Sequence, residues 1–158
     1  MARPRTFDET EVLVAATEIF TRTGYEGTSI DDLVIGLGLH RGSLYQAFGS
    51  KRGLFAAALT RSIDGELATA MAVAVARGRV GVAAAQRLAA GTALDLLLVA
   101  AIELAPVDAG IAAEVERAYR LIDVGFAGGW PIDQVPPAAV ALGLRVLRRS
   151  KASGRAKG

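Results

Sequence analysis

The stretch that decides the fold runs from residue 28 to residue 51 and reads TSIDDLVIGLGLHRGSLYQAFGSK. Gly38 and Gly49 divide it into a helix, a turn, a short helix and the start of another helix, which Ser50 caps. The acidic pair after the first hydroxyl residues suits the first turn of a helix. This spacing is that of a helix-turn-helix, whose second helix fits the major groove of DNA.

The short helix is predicted from Arg41 to Phe48, with Leu44 and Phe48 as its buried anchors. Arginine and glutamine pair with the edges of guanine and adenine, and glycine allows close approach of a backbone. The candidate base-facing residues are Arg41, Gly42, Ser43 and Gln46. The candidate phosphate donors are Thr28, Tyr45 and Lys51, because contacts to the DNA backbone fix the register of a reading helix.

The rest of the chain is predicted to be helical as well, which places it in the all-α class. One helix precedes the motif, from Asp8 to Thr23, with its apolar residues at helical spacing. A helix that begins after Ser50 runs unbroken to about residue 76, and residues 76–81 form a loop. Residues 82–105 form one long apolar helix, or two that are broken near Gly91. The last predicted elements are a helix over 109–126 that restarts at Asp108, a Gly/Pro-rich loop over 127–137, and a helix over 137–149.

The composition excludes several classes of site and protein. The chain has 158 residues, no cysteine and one histidine, so disulfides, thiolate metal sites and histidine-rich metal sites are ruled out. We expect no metal and no cofactor, and find no nucleophile–base pair that would indicate an enzyme. The longest apolar run is broken by acidic residues, and the N-terminus lacks an apolar signal segment. The expected location is the cytoplasm, with no membrane partner.

The net charge of residues 1–52 does not support the DNA-binding hypothesis. Residues 1–52 hold six Lys/Arg and seven Asp/Glu, which leaves a net charge of −1. The basic residues of the chain concentrate after residue 144, in a segment without acids, so a DNA-binding argument depends on where individual charges lie. The basic end over 151–158 is predicted to be a disordered, solvated tail, with non-specific binding to DNA as the alternative.

Residues 10–60 resemble the DNA-binding domain of the TetR/AcrR family of transcriptional regulators. The most specific elements are the F-x-x-x-G-Y of Phe20, Gly24 and Tyr25, the T-S-I that starts at Thr28, and the G-S-L-Y-x-x-F-x-x-K that ends at Lys51. The resemblance implies a helix-turn-helix domain over 1–52 and a reduced helical regulatory and dimerisation domain over 53–150. It also implies a homodimer that represses transcription at a pseudo-palindromic operator and releases DNA when a small hydrophobic effector binds the second domain.

The regulatory half resembles the family more loosely. Candidate ligand-lining residues are Asp95, Leu98, Ile102, Tyr119, Phe126 and Trp130. Asp95 and Glu103 either polarise such a pocket or are paired internally, and Trp130 either closes over a ligand or packs at the edge of the core. After Arg149 no second terminal helix is found, so the dimer interface of the family is reduced, rearranged or absent. The alternative function is a DNA-binding or interaction module without a small-molecule effector.

Overall fold

The computed structural model describes residues 7–76, 88, 91–126, 139 and 142. All regular elements in these ranges are helical, which confirms the predicted all-α class. The bounds are α1 Glu9–Thr23, α2 Ile30–Leu37, α3 Arg41–Phe48, α4 Lys51–Ser62, a first π-helical segment Ile63–Leu67, α5 Ala68–Ala76, α6 Ala93–Val99, a second π-helical segment Ala100–Leu104, and α7 Ala109–Phe126.

Local signals set the ends of the first helices as predicted. The Asp8 side chain accepts from the Thr10 N–H at 2.7 Å and caps α1. Ser29 and Asp32 form a reciprocal capping box at the start of α2. Gly38 ends α2 in the left-handed conformation, with φ of +62°, which glycine adopts without steric cost. The predicted bounds of α3 match the structure.

The core is one apolar cluster that extends from the helix-turn-helix into the second half. Leu33 of α2 and Leu44 of α3 are fully buried, as are Phe20 of α1 and Phe55 of α4. Helix α4 packs on α1, and α1 also contacts α6. The helix-turn-helix half (residues 7–62) and the second half (residues 63–76, 88 and 91–126) therefore share one apolar core.

Two π-helical segments interrupt helices that the sequence predicts as regular. Ile63–Leu67 lies between α4 and α5, so the helix predicted unbroken to residue 76 contains a wide turn. In the second segment the Ala105 N–H donates to the Ala100 carbonyl at 2.8 Å, five residues back. A π turn adds a residue to the helical period, which rotates the following side chains away from α-helical spacing.

The second half starts and stops largely where predicted. Of the two alternatives for residues 82–105, the break near Gly91 is the one observed, because α6 begins at Ala93. Asp108 restarts the chain as predicted, since its carboxylate accepts from the Gly110 and Ile111 N–H groups at 3.0 and 3.1 Å. The predicted loops over 76–81 and 127–137, the body of the helix over 137–149 and the basic tail fall outside the described residues. Within the described ranges, no helix has the length and hydropathy that crossing a bilayer requires.

Candidate nucleic-acid interface

Helix α3 presents a polar face to solvent. Leu44 is fully buried beneath it, whereas Arg41, Gly42, Tyr45 and Gln46 are exposed. Ser43 is half-buried, because it lines an open groove of about 520 Å³ between α3 and the start of α1. The predicted outer face is thus on the surface, with Ser43 at its α1 side.

The turn that leads from α3 into α4 is held tightly. Gly49 has φ of +73°, and its N–H donates to the Tyr45 carbonyl at 2.8 Å. The Ser50 hydroxyl caps α4 by accepting from the Gly53 N–H at 2.9 Å. A Cβ atom at Gly53 would lie 2.0 Å from the Phe48 carbonyl oxygen. Residue 53 must therefore be glycine if the two helices are to meet at this distance.

Arg41 is ion-paired with Asp31 across the helix-turn-helix. The pair joins the first turn of α3 to the first turn of α2, and both side chains are more than half exposed. A cation at a helix N-terminus opposes the helix dipole, so the carboxylate offsets an unfavourable position as well as directing the guanidinium. Arg41 is accessible to DNA, with an acid of the same protein as its partner in the free molecule.

Gly42 has open space around it. No heavy atom lies within 4 Å of the position that a Cβ would take. The protein itself therefore sets no steric demand for glycine here. A steric requirement for glycine at position 42 can come only from a molecule that approaches α3 from outside.

Two of the predicted phosphate donors have their polar groups bonded within the chain. Thr28 is 1% exposed, and its hydroxyl donates to the Gly24 carbonyl at 2.6 Å and shares a hydrogen bond with Thr23. The Lys51 ammonium donates to the carbonyls of Tyr25 and Thr28 at 3.0 and 2.9 Å. Their assignment to phosphate stays a prediction. Tyr45, the third candidate, is 41% exposed.

An aromatic cluster behind the motif was not foreseen as a unit. Tyr25 stacks on Phe20 and meets Phe55 edge-on, with centroid distances of 6.1 and 5.3 Å. Burial raises the pKa of the Tyr25 hydroxyl, and the negative charge of Glu26 adds to the rise. The signal for this cluster was the F-x-x-x-G-Y motif, which places Phe20 and Tyr25 together, whereas Phe55 joins them only through the fold.

Two polar contacts connect the helix-turn-helix half to the segment that follows α6. The Glu103 carboxylate accepts from the Glu26 N–H at 2.8 Å. Arg52 makes a two-pronged contact with Asp108, at 2.7 and 2.8 Å. Of the roles considered for Glu103, internal pairing is the one the structure displays. These partners are 77 and 56 residues apart, so spacing along the chain gave no signal for them.

The residues predicted to line a ligand pocket differ in how far their side chains are exposed. Asp95 is buried, Leu98 is half-buried, and Tyr119 is half-buried with a pKa raised by that burial. Ile102 is 70% exposed and lies within the π-helical segment Ala100–Leu104. The ligand-lining role of these residues stays a prediction.

Two further ligand candidates cannot be placed. Phe126 is the last residue of α7, and its side chain falls outside the described part, as does all of Trp130. Among the described residues, no group of three or more His, Asp or Glu side chains is arranged to hold a metal ion.

Comparison with known proteins identifies the N-terminal part of the chain. Residues 12–58 match the family model described as "Bacterial regulatory proteins, tetR family". The chain is 45% identical over 71 residues to the uncharacterized HTH-type transcriptional regulator YezE of Bacillus subtilis, over 45% of this chain and 37% of that protein. It is 45% identical over 62 residues to the HTH-type transcriptional repressor ComR of Escherichia coli, over 39% of this chain and 30% of the relative.

Similarity over the whole fold comes from solved structures. The TetR family regulator CifR, a cysteine mutant complexed with 26-bp double-strand operator DNA, aligns with a TM-score of 0.70 and 26% identity. That alignment covers 95% of this chain and 91% of CifR. The matches to the two curated relatives, by contrast, span only 37% and 30% of their length. YezE, ComR and CifR are all named as transcription regulators and none as an enzyme. The matched motif and the helix-turn-helix geometry show that residues 12–58 form the helix-turn-helix domain of the tetR family of bacterial regulatory proteins, and the fold of the chain is similar to that of the TetR family regulator CifR.

Proposed function

We propose that this protein is a sequence-specific double-stranded-DNA-binding transcription regulator that reads its operator with α3. The observation that carries the proposal is the exposed polar face of α3, held on the buried Leu44. A short helix that is fixed from behind and polar in front is what insertion into a major groove requires. The operator complex of CifR supports the same use of the fold.

The side chains on this face divide into readers and positioners. Arg41 pairs with guanine O6 and N7, and Gln46 pairs with adenine N6 and N7, each worth ~1–3 kcal/mol of discrimination. Ser43 adds a hydrogen bond at the α1 side of the groove, and Gly42 admits the DNA backbone or a base edge closely. The Tyr45 hydroxyl donates to a phosphate, which fixes the register. Thr28 and Lys51 belong to the same interface, with their polar groups engaged beneath it.

The proposed active form is a homodimer on a pseudo-palindromic operator. A two-fold dimer places two copies of α3 in major grooves about one helical turn (~34 Å) or a multiple apart. We propose that this dimer represses transcription. Relatives of its N-terminal segment include proteins named as repressors and one named as an activator, so a reporter assay decides the sign of regulation.

We further propose that a small hydrophobic effector binds the second half and releases DNA. Such a ligand acts by binding better to a conformation whose recognition helices are wrongly spaced. Asp95, Leu98 and Tyr119 are the described candidates to contact it. A thermal shift screen with a metabolite library tests this step. If no compound raises the melting temperature, the alternative of a DNA-binding module without an effector is favoured.

Selection of bound duplexes from a random pool tests the core of the proposal. The full chain should enrich a two-fold symmetric motif. Arg41→Ala and Gln46→Ala should each relax the preference at one position per half-site, because each removes one base contact. Arg120→Ala is the matched control, since this exposed arginine on α7 pairs with Glu116 far from α3. Absence of enrichment, or a motif that neither α3 variant changes, would contradict the proposal.

A further inference from the structure

The single histidine of the chain lies at the edge of the polar face of α3. His40 is the N-cap of that helix, one residue before Arg41, and it is exposed. The N-cap side chains of α2 and α4, Ser29 and Ser50, each accept from a backbone N–H, whereas the His40 side chain makes no capping bond. The imidazole is therefore not engaged in holding α3, and it can bond to a molecule that approaches from solvent.

His40 shares the open groove between α3 and the start of α1 with Ser43, a candidate base-facing residue. Two acids, Asp8 and Glu11, line the α1 side of this groove. The Asp8 carboxylate accepts from the two backbone N–H groups that it caps at the start of α1. The turn between α2 and α3 contributes residues 37–39 to the groove, and none of these carries a charge.

The charged neighbours of His40 keep their charge near neutral pH. On α3 itself the neighbour is Arg41, which pairs with Asp31, and across the groove the neighbours are the two acids of α1. Carboxylates and guanidinium groups ordinarily stay ionised between about pH 6 and pH 8, the range in which histidine changes its charge. Within the described part of the reading face and its groove, His40 is therefore the group whose charge responds to pH in this range.

The position of His40 on α3 is that of a backbone contact. The N-terminal residues of a recognition helix meet base edges, so a residue at the N-cap lies next to the sugar–phosphate backbone. A protonated imidazole offers a phosphate oxygen two N–H donors and a positive charge, whereas the neutral ring offers one donor and no charge. A phosphate at this place is bound more strongly by the protonated form.

We infer that His40 is a further DNA contact of this protein, that its imidazolium donates to a phosphate oxygen, and that operator binding strengthens as the pH falls. The inference rests on the proposed function, because it adds a residue to the same interface. Phosphate charges favour the imidazolium, so the complex binds more protons than the free protein does. Affinity therefore rises as pH falls from 8 to 6, by about fivefold, which is less than the tenfold of one full pKa unit.

Selection from a random pool at pH 6 and at pH 8, with titration of the enriched duplex at both values, tests the inference on the full chain. Wild type should bind about fivefold more tightly at pH 6, and its slope of log affinity against log salt should be steeper there, by at most about 0.9. His40→Gln keeps a hydrogen-bonding side chain that does not titrate, so it should lose this difference. The comparison also subtracts the α-amino group, which titrates near pH 8.

Two outcomes of this experiment overturn the inference in different ways. The same pH dependence in His40→Gln and in wild type overturns it and leaves the proposed function intact. No enriched duplex at either pH contradicts the proposed function and overturns the inference with it.

Two further variants separate the imidazole from the acids around it. His40→Arg fixes the positive charge, so it should bind at pH 8 at least as tightly as wild type does at pH 6, with no pH dependence. Glu11→Gln is the matched control, because it removes a charge from the same groove. It should raise affinity by a similar factor at both pH values and keep the pH dependence. A flat profile in Glu11→Gln would assign the dependence to the carboxylate and overturn the inference.

Nuclear magnetic resonance measures the protonation directly. Because the chain has one histidine, a single imidazole C–H resonance reports its charge from pH 5 to pH 8. The midpoint of this titration should lie at higher pH in the complex with the selected duplex than in the free protein. Equal midpoints overturn the inference even if affinity depends on pH, since the proton is then taken up elsewhere.

Discussion

The recognition half (residues 7–62) and the regulatory half (residues 63–76, 88 and 91–126), named for their proposed roles, differ in how their polar side chains are used. In the recognition half, Asp8, Ser29 and Ser50 each bond to a backbone N–H two or three residues ahead and so define where a helix starts. In the regulatory half, Arg117 reaches back to Asp64, 53 residues earlier, and Thr92 bonds to Glu66 across 26 residues. Local bonds thus set the helix starts of the first half, whereas the cited bonds of the second half join segments that are distant in sequence.

The difference has a functional consequence. A helix whose ends are closed by its neighbours in sequence can leave one face free for another molecule, as α3 does. Helix α6 does the opposite, because nearly all of its side chains are buried. The two halves meet at polar contacts, Arg52 with Asp108 and Glu103 with the Glu26 N–H. A change in the second half therefore has direct contacts through which to move the first.

The largest expected effect comes from the aromatic cluster of the recognition half. Phe55→Ala removes a fully buried ring that contacts Phe20 and Tyr25, and should lower the free energy of unfolding by ~3–5 kcal/mol. Urea unfolding measures this loss. Ile102→Ala in the other half is the control and should stay within about 0.5 kcal/mol, since that side chain is 70% exposed. Similar losses for the two variants would contradict the observed burial.

A pair of glycines in the recognition half separates folding from binding. Gly53→Ala brings a methyl group against the Phe48 carbonyl and should cost ~1–3 kcal/mol of stability. Gly42→Ala has open space and should leave stability unchanged or raise it by up to ~1 kcal/mol, because alanine favours the helix. We expect Gly42→Ala nevertheless to weaken binding to the selected duplex. Unfolding curves and binding titrations of both variants check this, and full affinity in Gly42→Ala would argue against close approach at this position.

The contact between the halves should depend on pH. The Arg52 guanidinium, with the Ile111 and Gly110 N–H groups, holds the pKa of Asp108 well below its usual range. A carboxyl whose pKa falls on folding stabilises the protein above its unfolded pKa, roughly 4, and this contribution is lost as pH falls further. Asp108→Asn should therefore melt at a lower temperature than wild type at pH 7, by a difference that narrows towards pH 3. A difference that stays constant over this range would refute the assignment.

The smallest expected effect is on the surface of the helix-turn-helix. Asp31→Asn breaks the ion pair with Arg41, but both side chains are largely exposed, so stability should change by less than ~1 kcal/mol. Its effect on binding should be clearer. Removal of a negative charge beside α3 should raise the affinity for unrelated duplexes at low salt, while discrimination at the Arg41 position falls. Titrations with the selected duplex and with an unrelated duplex give the ratio of the two affinities. If this ratio is the same in Asp31→Asn and in the wild type, Asp31 does not direct Arg41.

Most of the recognition half was predictable from the residues alone. The glycines at 38 and 49, the caps at Ser29 and Ser50, and the buried Leu44 set the bounds of α2 and α3, and the structure matches them. These signals act within a few residues, where sequence spacing and spatial distance are nearly the same. In the second half, the helix start predicted at Asp108 also depends on a bond between neighbours in sequence, and the structure confirms it.

The π-helical segments show what such signals miss. Nothing in IDGEL or AAIEL announces a wide turn, although both segments are π-helical in the structure. Ile102, a candidate to line a ligand pocket, lies on the second of these segments and is 70% exposed. The domain division at residues 52 and 150 stays a prediction.

The amino-acid sequence by itself determined the helical class, the caps and turns of the helix-turn-helix, and the polar character of the α3 face, because these depend on neighbours along the chain. Tertiary structure alone decided that the Lys51 ammonium donates to the Tyr25 and Thr28 carbonyls. It also decided that Arg41 pairs with Asp31 and that Arg52 pairs with Asp108. The physical reason is that an ion or a donor takes the nearest acceptor in space. Across 10 to 56 residues that acceptor is set by helix packing rather than by order in the chain.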